Sequence, residues 1–207
     1  MGHSRKTIKE LFRQIQHGHA AAFDRVYLMH FDNLKRFALQ YVKREAAAEE
    51  IVSERFVQLW LRRAKLAEIE NPIFYLYRSV KNACLTLLER EGRHAQVPIE
   101  AMQGNALQAM DTDDPEKMLE YKELIAYLDA AIDRMPDQRR TIFRMVKEDR
   151  LKCREVADLL GLSVRTVENQ VYLAVKRLSE EVERYFNAGN AQHGGTRRMF
   201  LLLMVIS

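Results

Sequence analysis

The sequence predicts an all-α protein: two small helical domains joined by a flexible linker, the C-terminal one a helix-turn-helix. Three observations lead there. The 207 residues include only 8 Gly and 4 Pro, so few positions interrupt a helix. Apolar residues recur at three- and four-residue spacing, while β-branched runs with period-two alternation are scarce. One aperiodic stretch, residues 92–115, separates two periodic blocks. At 47% hydrophobic residues, the chain can bury cores and is not disordered as a whole.

The first block, residues 1–91, reads as three or four helices. Leu11, Phe12 and Ile15 open it, and Gly18 interrupts. Phe23, Val26, Tyr27, Leu34, Phe37, Ala38, Tyr41 and Val42 then keep helical spacing. In "AAAEEIVSERFVQLWLRR" the buried stripe is Ile51, Val52, Phe56, Leu59 and Trp60. Asn71-Pro72 breaks the chain, and Pro72 suits the first position of the next helix, which ends at Gly92. The linker over 92–115 holds Gly92, Pro98, Gly104 and "DTDDP", with Asp114 an expected N-cap. In the second block, 116–186, a helix burying Leu124, Leu128 and Ile132 stops at Pro136. Helices near 137–148, 151–160 and 164–186 follow, then a polar stretch and an apolar end over 187–207.

Charge is uneven. Residues 1–91 carry 16 Lys and Arg against 11 Asp and Glu; 92–135 carry 4 against 9; 136–186 carry 11 against 9. Two mildly basic blocks therefore flank an acidic middle, which suits polyanion contact at both ends. Cys84 and Cys153 are far apart and outside any C-x-x-C, as expected of reduced thiols in a cytoplasmic protein. The polar opening residues do not read as a signal peptide. The apolar stretch Met199–Ser207 is nine residues, whereas a spanning helix needs about 20. His17, His19 and His30 share no ligand spacing with a Cys or carboxylate, so no metal is expected. No nucleophile-base motif or phosphate-binding Gly-rich loop is visible; neither enzymatic activity nor a cofactor is expected.

The most informative stretch is "REVADLLGLSVRTVENQVYLAVKRL". A helix-turn-helix needs a small residue where the helices cross, a Gly in the turn, and an apolar residue facing back. Ala157, Gly161 and Val167 supply these, and Ser163 can cap the second helix. Val167, Val171, Ala174, Val175 and Leu178 form its inward stripe. Arg165, Thr166, Glu168, Asn169 and Tyr172 form the outward face near its N-terminus, with Lys176 further along. Such residue types read base edges: Arg on guanine, Asn on adenine, Glu on the cytosine amino group. An ordinary helical hairpin with a solvated polar face is the plain alternative.

Residues 8–186 as a whole resemble an extracytoplasmic-function sigma factor. The motifs are "GHAAAFDRVYLMHFDNLKRFA", "AEEIVSERFVQLW", "YLYRSVKNACLTLL", "MPDQRRTIFRMV" and "REVADLLGLSVRTVENQV". The style of "SVRTVENQVYLAVKRL", with an apolar C-terminal end, resembles the Bacteroidetes-type branch. The resemblance implies that residues 1–91 dock on core RNA polymerase and recognise and melt the −10 element. It implies that 116–186 read the −35 element. Glu50, Ser53 and Glu54, on one helix face, become the polymerase contact; a solvated acidic face is the plain reading. Arg78, Lys81 and Asn82 become the −10 residues, the cations on phosphate and Asn82 on a flipped base. Phe74, Tyr75 and Tyr77 are available for stacking but suit a core equally. The loop "AKLAEIENP" would set which base fits.

This chain departs from the family at Thr86, where Asp is usual, and at Leu88, where Arg is usual. Glu168 and Leu173 stand where many relatives carry Arg, and Lys152 replaces a capping Ser or Thr. The implied partners are core RNA polymerase, promoter DNA and a membrane-bound anti-sigma factor, with no small-molecule substrate. The rival reading is a stand-alone helix-turn-helix transcription activator that needs no polymerase for specific DNA binding.

Overall fold

A computed structural model of the chain describes residues 3–92 and 115–187. Most of the expected linker, with Asp114, and the tail beyond Asn187 lie outside the described residues. Those described form α1 (His3–Gln16), α2 (Ala20–Val42), α3 (Glu45–Leu61), α4 (Pro72–Arg90), α5 (Pro115–Asp133), α6 (Asp137–Phe143), α7 (Cys153–Leu160) and α8 (Val164–Asn187). A 3-10 turn spans Arg63–Glu68 and a π-helical turn spans Arg144–Glu148. No strand occurs among the described residues, and no helix there is long and apolar enough to cross a membrane.

The packing divides into two units: Met1–Ile99 with Arg144–Val167, and Glu100–Phe143 with Glu168–Ser207. In the first, α2 packs against α1, α3 and α4. Its buried stripe includes Val26, Leu34, Phe37, Ala38 and Val42, at the expected helical spacing. Phe12 and Ile15 of α1, Val52 and Phe56 of α3, and Leu76 and Val80 of α4 complete this core. Phe56 meets Phe23 and Tyr27 edge-on at 6.0 and 4.9 Å between ring centroids. Trp60, expected inside, is half-buried: it packs on Phe23 and lies beneath the Arg63 guanidinium, 4.8 Å from the ring centroid. Leu88 is buried, so its apolar character serves packing at a position where the resemblance led to Arg.

Helix punctuation follows local chemistry. Gly18 has φ of +84° between α1 and α2, a region that suits a residue without a Cβ. Asn71 caps α4 by accepting the Phe74 N–H at 3.3 Å, and Pro72 occupies the first turn. Two expectations need correction. The stretch before α4 is not all loop: it begins as the 3-10 turn, held by buried Leu66 and by Gln16, whose Oε1 accepts the Ala67 N–H at 2.8 Å. The helix expected over 137–148 does not stay α-helical. It widens after Phe143, and the Asp149 N–H bonds five residues back to the Arg144 carbonyl at 3.0 Å.

In the second unit, Leu124, Leu128, Ile132 and Met135 of α5 and its end pack with Phe143, Ala174, Leu178, Val182 and Tyr185. Arg140 donates to the Asp133 carbonyl at 2.7 Å, satisfying an orphan acceptor at the end of α5. Buried Glu181 accepts from Tyr127 Oη at 2.8 Å and pairs with Arg177 at 2.8 Å and Arg184 at 2.9 Å.

Candidate nucleic-acid interface

The turn between α7 and α8 is built from few residues. Gly161 ends α7 with φ of +68°, and its N–H bonds to the Ala157 carbonyl. Leu162 N–H bonds to the same carbonyl at 3.0 Å. An added Cβ at Gly161 would meet nothing within 4 Å, so backbone conformation rather than space calls for glycine. Val156, Ala157 and Val167 are buried. Lys152 opens α7 without a side-chain acceptor; instead Glu155 Oε2 accepts the Lys152 N–H at 2.8 Å, providing one half of a capping box.

Ser163 Oγ accepts the Thr166 N–H at 3.0 Å and lies 2.7 Å from Thr166 Oγ1. Ser163→Ala removes that cap and should destabilise the protein by about 1 kcal/mol, read as a lower midpoint in urea. An unchanged midpoint would show that the cap contributes nothing to stability.

On α8, Arg165, Glu168, Asn169, Tyr172 and Lys176 are exposed, and Thr166 is half-buried beside Ser163. Tyr172 is 64% exposed, unusual for so large a ring. Val167, Ala174 and Leu178 are buried, whereas Val171 and Val175 are only partly so. Gln170 sits off the outward face and accepts from Arg139 Nε at 3.0 Å. Arg177, next to Lys176, is held by Glu181.

On α4 the expected trio separates. Arg78 and Asn82 are exposed, four residues apart on one side. Lys81 is half-buried, and its Nζ donates to the Asp158 carbonyl of α7 at 3.2 Å. Of the aromatics, Tyr75 is 39% exposed and Phe74 half-buried. Tyr77 is buried: it packs edge-on to Phe37 at 4.9 Å and donates its hydroxyl to Asp149 at 2.5 Å. Its position in the core removes it as a stacking platform.

On α3, Glu50 and Glu54 are exposed and Ser53 is half-buried. Glu54 pairs with Arg55 at 2.8 Å. Sequence reasoning missed two neighbours on this face. Val57 is 54% and Leu61 64% exposed. With Glu50 and Glu54 they continue a single helical stripe, acidic then apolar. Their mismatch with the buried stripe of Ile51, Val52, Phe56 and Leu59 was the available signal.

His17 and His19 are exposed, whereas His30 is buried and its Nδ1 lies 3.0 Å from Asp149 Oδ1. Among the described residues, no group of His, Cys, Asp and Glu is arranged to hold a metal ion.

Residues 26–94 match the family Sigma-70 region 2, and residues 125–178 match Sigma-70, region 4. Together they take in more than half of the chain. No curated protein sequence matches it. Among solved structures, that of CnrH in complex with the cytosolic domain of CnrY is similar, with a TM-score of 0.42 and 19% identity. The alignment covers 86% of this chain and 98% of that one.

Proposed function

We propose, of a chain that belongs to the sigma-70 family and is an alternative sigma factor directing promoter-specific initiation by core RNA polymerase, that three helix faces divide the work. The outward face of α8 reads the −35 element through Arg165, Thr166, Glu168, Asn169 and Tyr172, with Lys176 on phosphate. Bidentate contacts of Arg and Asn with base edges are each worth about 1–3 kcal/mol of discrimination. On α4, Arg78 and Lys81 hold the backbone of the −10 strand and Asn82 grips an extruded base, with Tyr75 beside it for stacking. On α3, Glu50, Ser53 and Glu54 dock on a basic surface of the polymerase, and exposed Val57 and Leu61 extend that contact.

The observation that carries this reading is the face of α8. A capped helix following a left-handed glycine turn presents Arg165, Glu168, Asn169, Tyr172 and Lys176 outward. The region 2 match favours a sigma factor over a stand-alone activator, which would have no need of a polymerase-docking and strand-opening region. The role is recognition rather than catalysis, carried out in the cytoplasm. An anti-sigma factor is the further partner proposed for this class, and residues 1–91 and 116–186 are the proposed functional domains. The comparisons reach the family without separating its branches.

Core dependence tests the reading. Two modules of low net charge joined by a linker, the first weakly basic and the second neutral, bind DNA well only when something fixes their spacing. A band-shift titration should show weak, unspecific binding by the free protein and sequence-specific binding once core polymerase is added. Tight specific binding by the protein alone would return the stand-alone activator.

A further inference from the structure

Within the second packing unit, most ordered arginines are neutralised by a neighbour. Arg140 pairs with Asp137, and Arg177 and Arg184 pair with Glu181 at 2.8 and 2.9 Å. Arg139, on α6, is held differently. Its Nε donates to the side-chain oxygen of Gln170 on α8 at 3.0 Å, and no carboxylate pairs with it among the described residues. Arg139 and Gln170 are both half-buried.

A neutral amide fixes where a guanidinium sits without cancelling its charge. Arg139 therefore keeps its full positive charge in a set position, and its Nη1 and Nη2 donors meet no acceptor among the described residues. A hydrogen bond that served only to join α6 to α8 would not need a cation, and a half-buried cation without a counter-charge carries a desolvation cost. The partner that matches a guanidinium fork is a carboxylate or a phosphate.

The position of Gln170 selects between these. It follows Asn169, so its side chain leaves α8 about 100° around the helix from the residue proposed to read bases. Arg139 thus stands at the edge of the outward face, where a helix lying in the major groove meets a backbone strand. Arg177 lies on the same edge about two turns further along, but Glu181 already holds it. Glu168 leaves from the opposite side of the helix and does not oppose an anion at this edge.

We infer that Arg139, braced by Gln170, binds a backbone phosphate of the −35 duplex from α6 and so sets the register in which α8 seats in the groove. This rests on the assignment of α8 to the −35 element. A phosphate contact carries no sequence information, but it fixes orientation on the duplex. Gln170 acts as a positioning residue: it orders a long side chain before DNA arrives, so less freedom is lost on binding.

The test is the salt dependence of binding by the full chain with core polymerase to a duplex promoter chosen from a randomised library. The logarithm of affinity falls with the logarithm of salt concentration by about 0.9 for each phosphate neutralised. Arg139→Ala should therefore flatten the slope by about 0.9 and weaken binding roughly tenfold, alike on all −35 sequences. Gln170→Glu should flatten it as much with Arg139 still present, because a carboxylate then occupies the guanidinium. Gln170→Leu should keep the slope and weaken binding roughly two- to tenfold, the cost of ordering a free side chain. Urea midpoints show that each variant is folded; if Arg139→Ala is not, Gln170→Glu decides alone. The parent's slope in Arg139→Ala or in Gln170→Glu would overturn the phosphate contact, and the parent's affinity in Gln170→Leu would overturn the brace. If Asn169→Ala also leaves affinity and the selected −35 motif unchanged, the assignment of α8 has failed rather than this contact alone.

Discussion

Reversing Glu50 and Glu54 to lysine should abolish binding to core polymerase while leaving the protein folded. Both side chains are exposed, on the side of α3 away from buried Ile51, Val52, Phe56 and Leu59. Neither change opens the core. The reversal breaks the Glu54–Arg55 ion pair at 2.8 Å, but Glu54 is 58% exposed there, and so exposed a pair contributes little. At the proposed interface the arithmetic differs. Each reversal removes an attraction and sets like charges together, which costs several kcal/mol at a complementary surface. Two such changes should weaken binding by at least about a hundredfold, since 1.4 kcal/mol is tenfold. The checks are pull-down or calorimetric titration with core, beside circular dichroism. Unchanged affinity with intact helicity would remove α3 from the polymerase contact.

Asn169→Ala should change which −35 sequence is chosen, whereas Lys176→Ala should lower activity without changing the choice. Arg165 and Asn169 are four residues apart on the first turns of α8 and both exposed, so in the proposed reading they address neighbouring base pairs from one face. Without one bidentate contact, preference at one or two positions should relax by about 1–3 kcal/mol. Lys176 is about two turns further on, where a helix leaving the groove meets phosphate. Its removal should weaken all sequences alike and flatten the salt dependence. Arg177 is a poor substitute because Glu181 already holds it. A randomised-promoter selection reads both outcomes. An unchanged −35 motif with Asn169→Ala would mean that this face does not read bases.

The parts of the molecule legible from sequence are those whose causes are local. Ala157, Gly161 and Val167 announced the helix-turn-helix because a left-handed turn, a close crossing and an inward apolar residue need those types at those spacings. Ser163 and Asn71-Pro72 announced helix starts for the same reason. What stayed hidden depends on pairing across long separations. Nothing near His30 indicates an aspartate 119 positions away, and nothing near Tyr77 separates a stacking aromatic from one bonded to Asp149. Lys81 resembles its neighbours Arg78 and Asn82 in sequence, and only the fold shows the α7 carbonyl that holds it. The π turn after Phe143 was invisible because helical periodicity does not distinguish a four-residue from a five-residue hydrogen bond over a single turn. Val57 and Leu61 do not stand out in the sequence because an apolar residue on a helix usually belongs to a core.

The most direct test of the central claim is transcription in a purified system: core polymerase with and without this protein, on a promoter library randomised upstream of the start site, with transcripts sequenced. The account predicts no promoter-specific transcripts from core alone. With the protein present, transcripts should start at defined positions behind a shared two-part motif, its −10 and −35 halves at fixed spacing. Transcripts that are no more frequent or specific with the protein than without it would contradict the account.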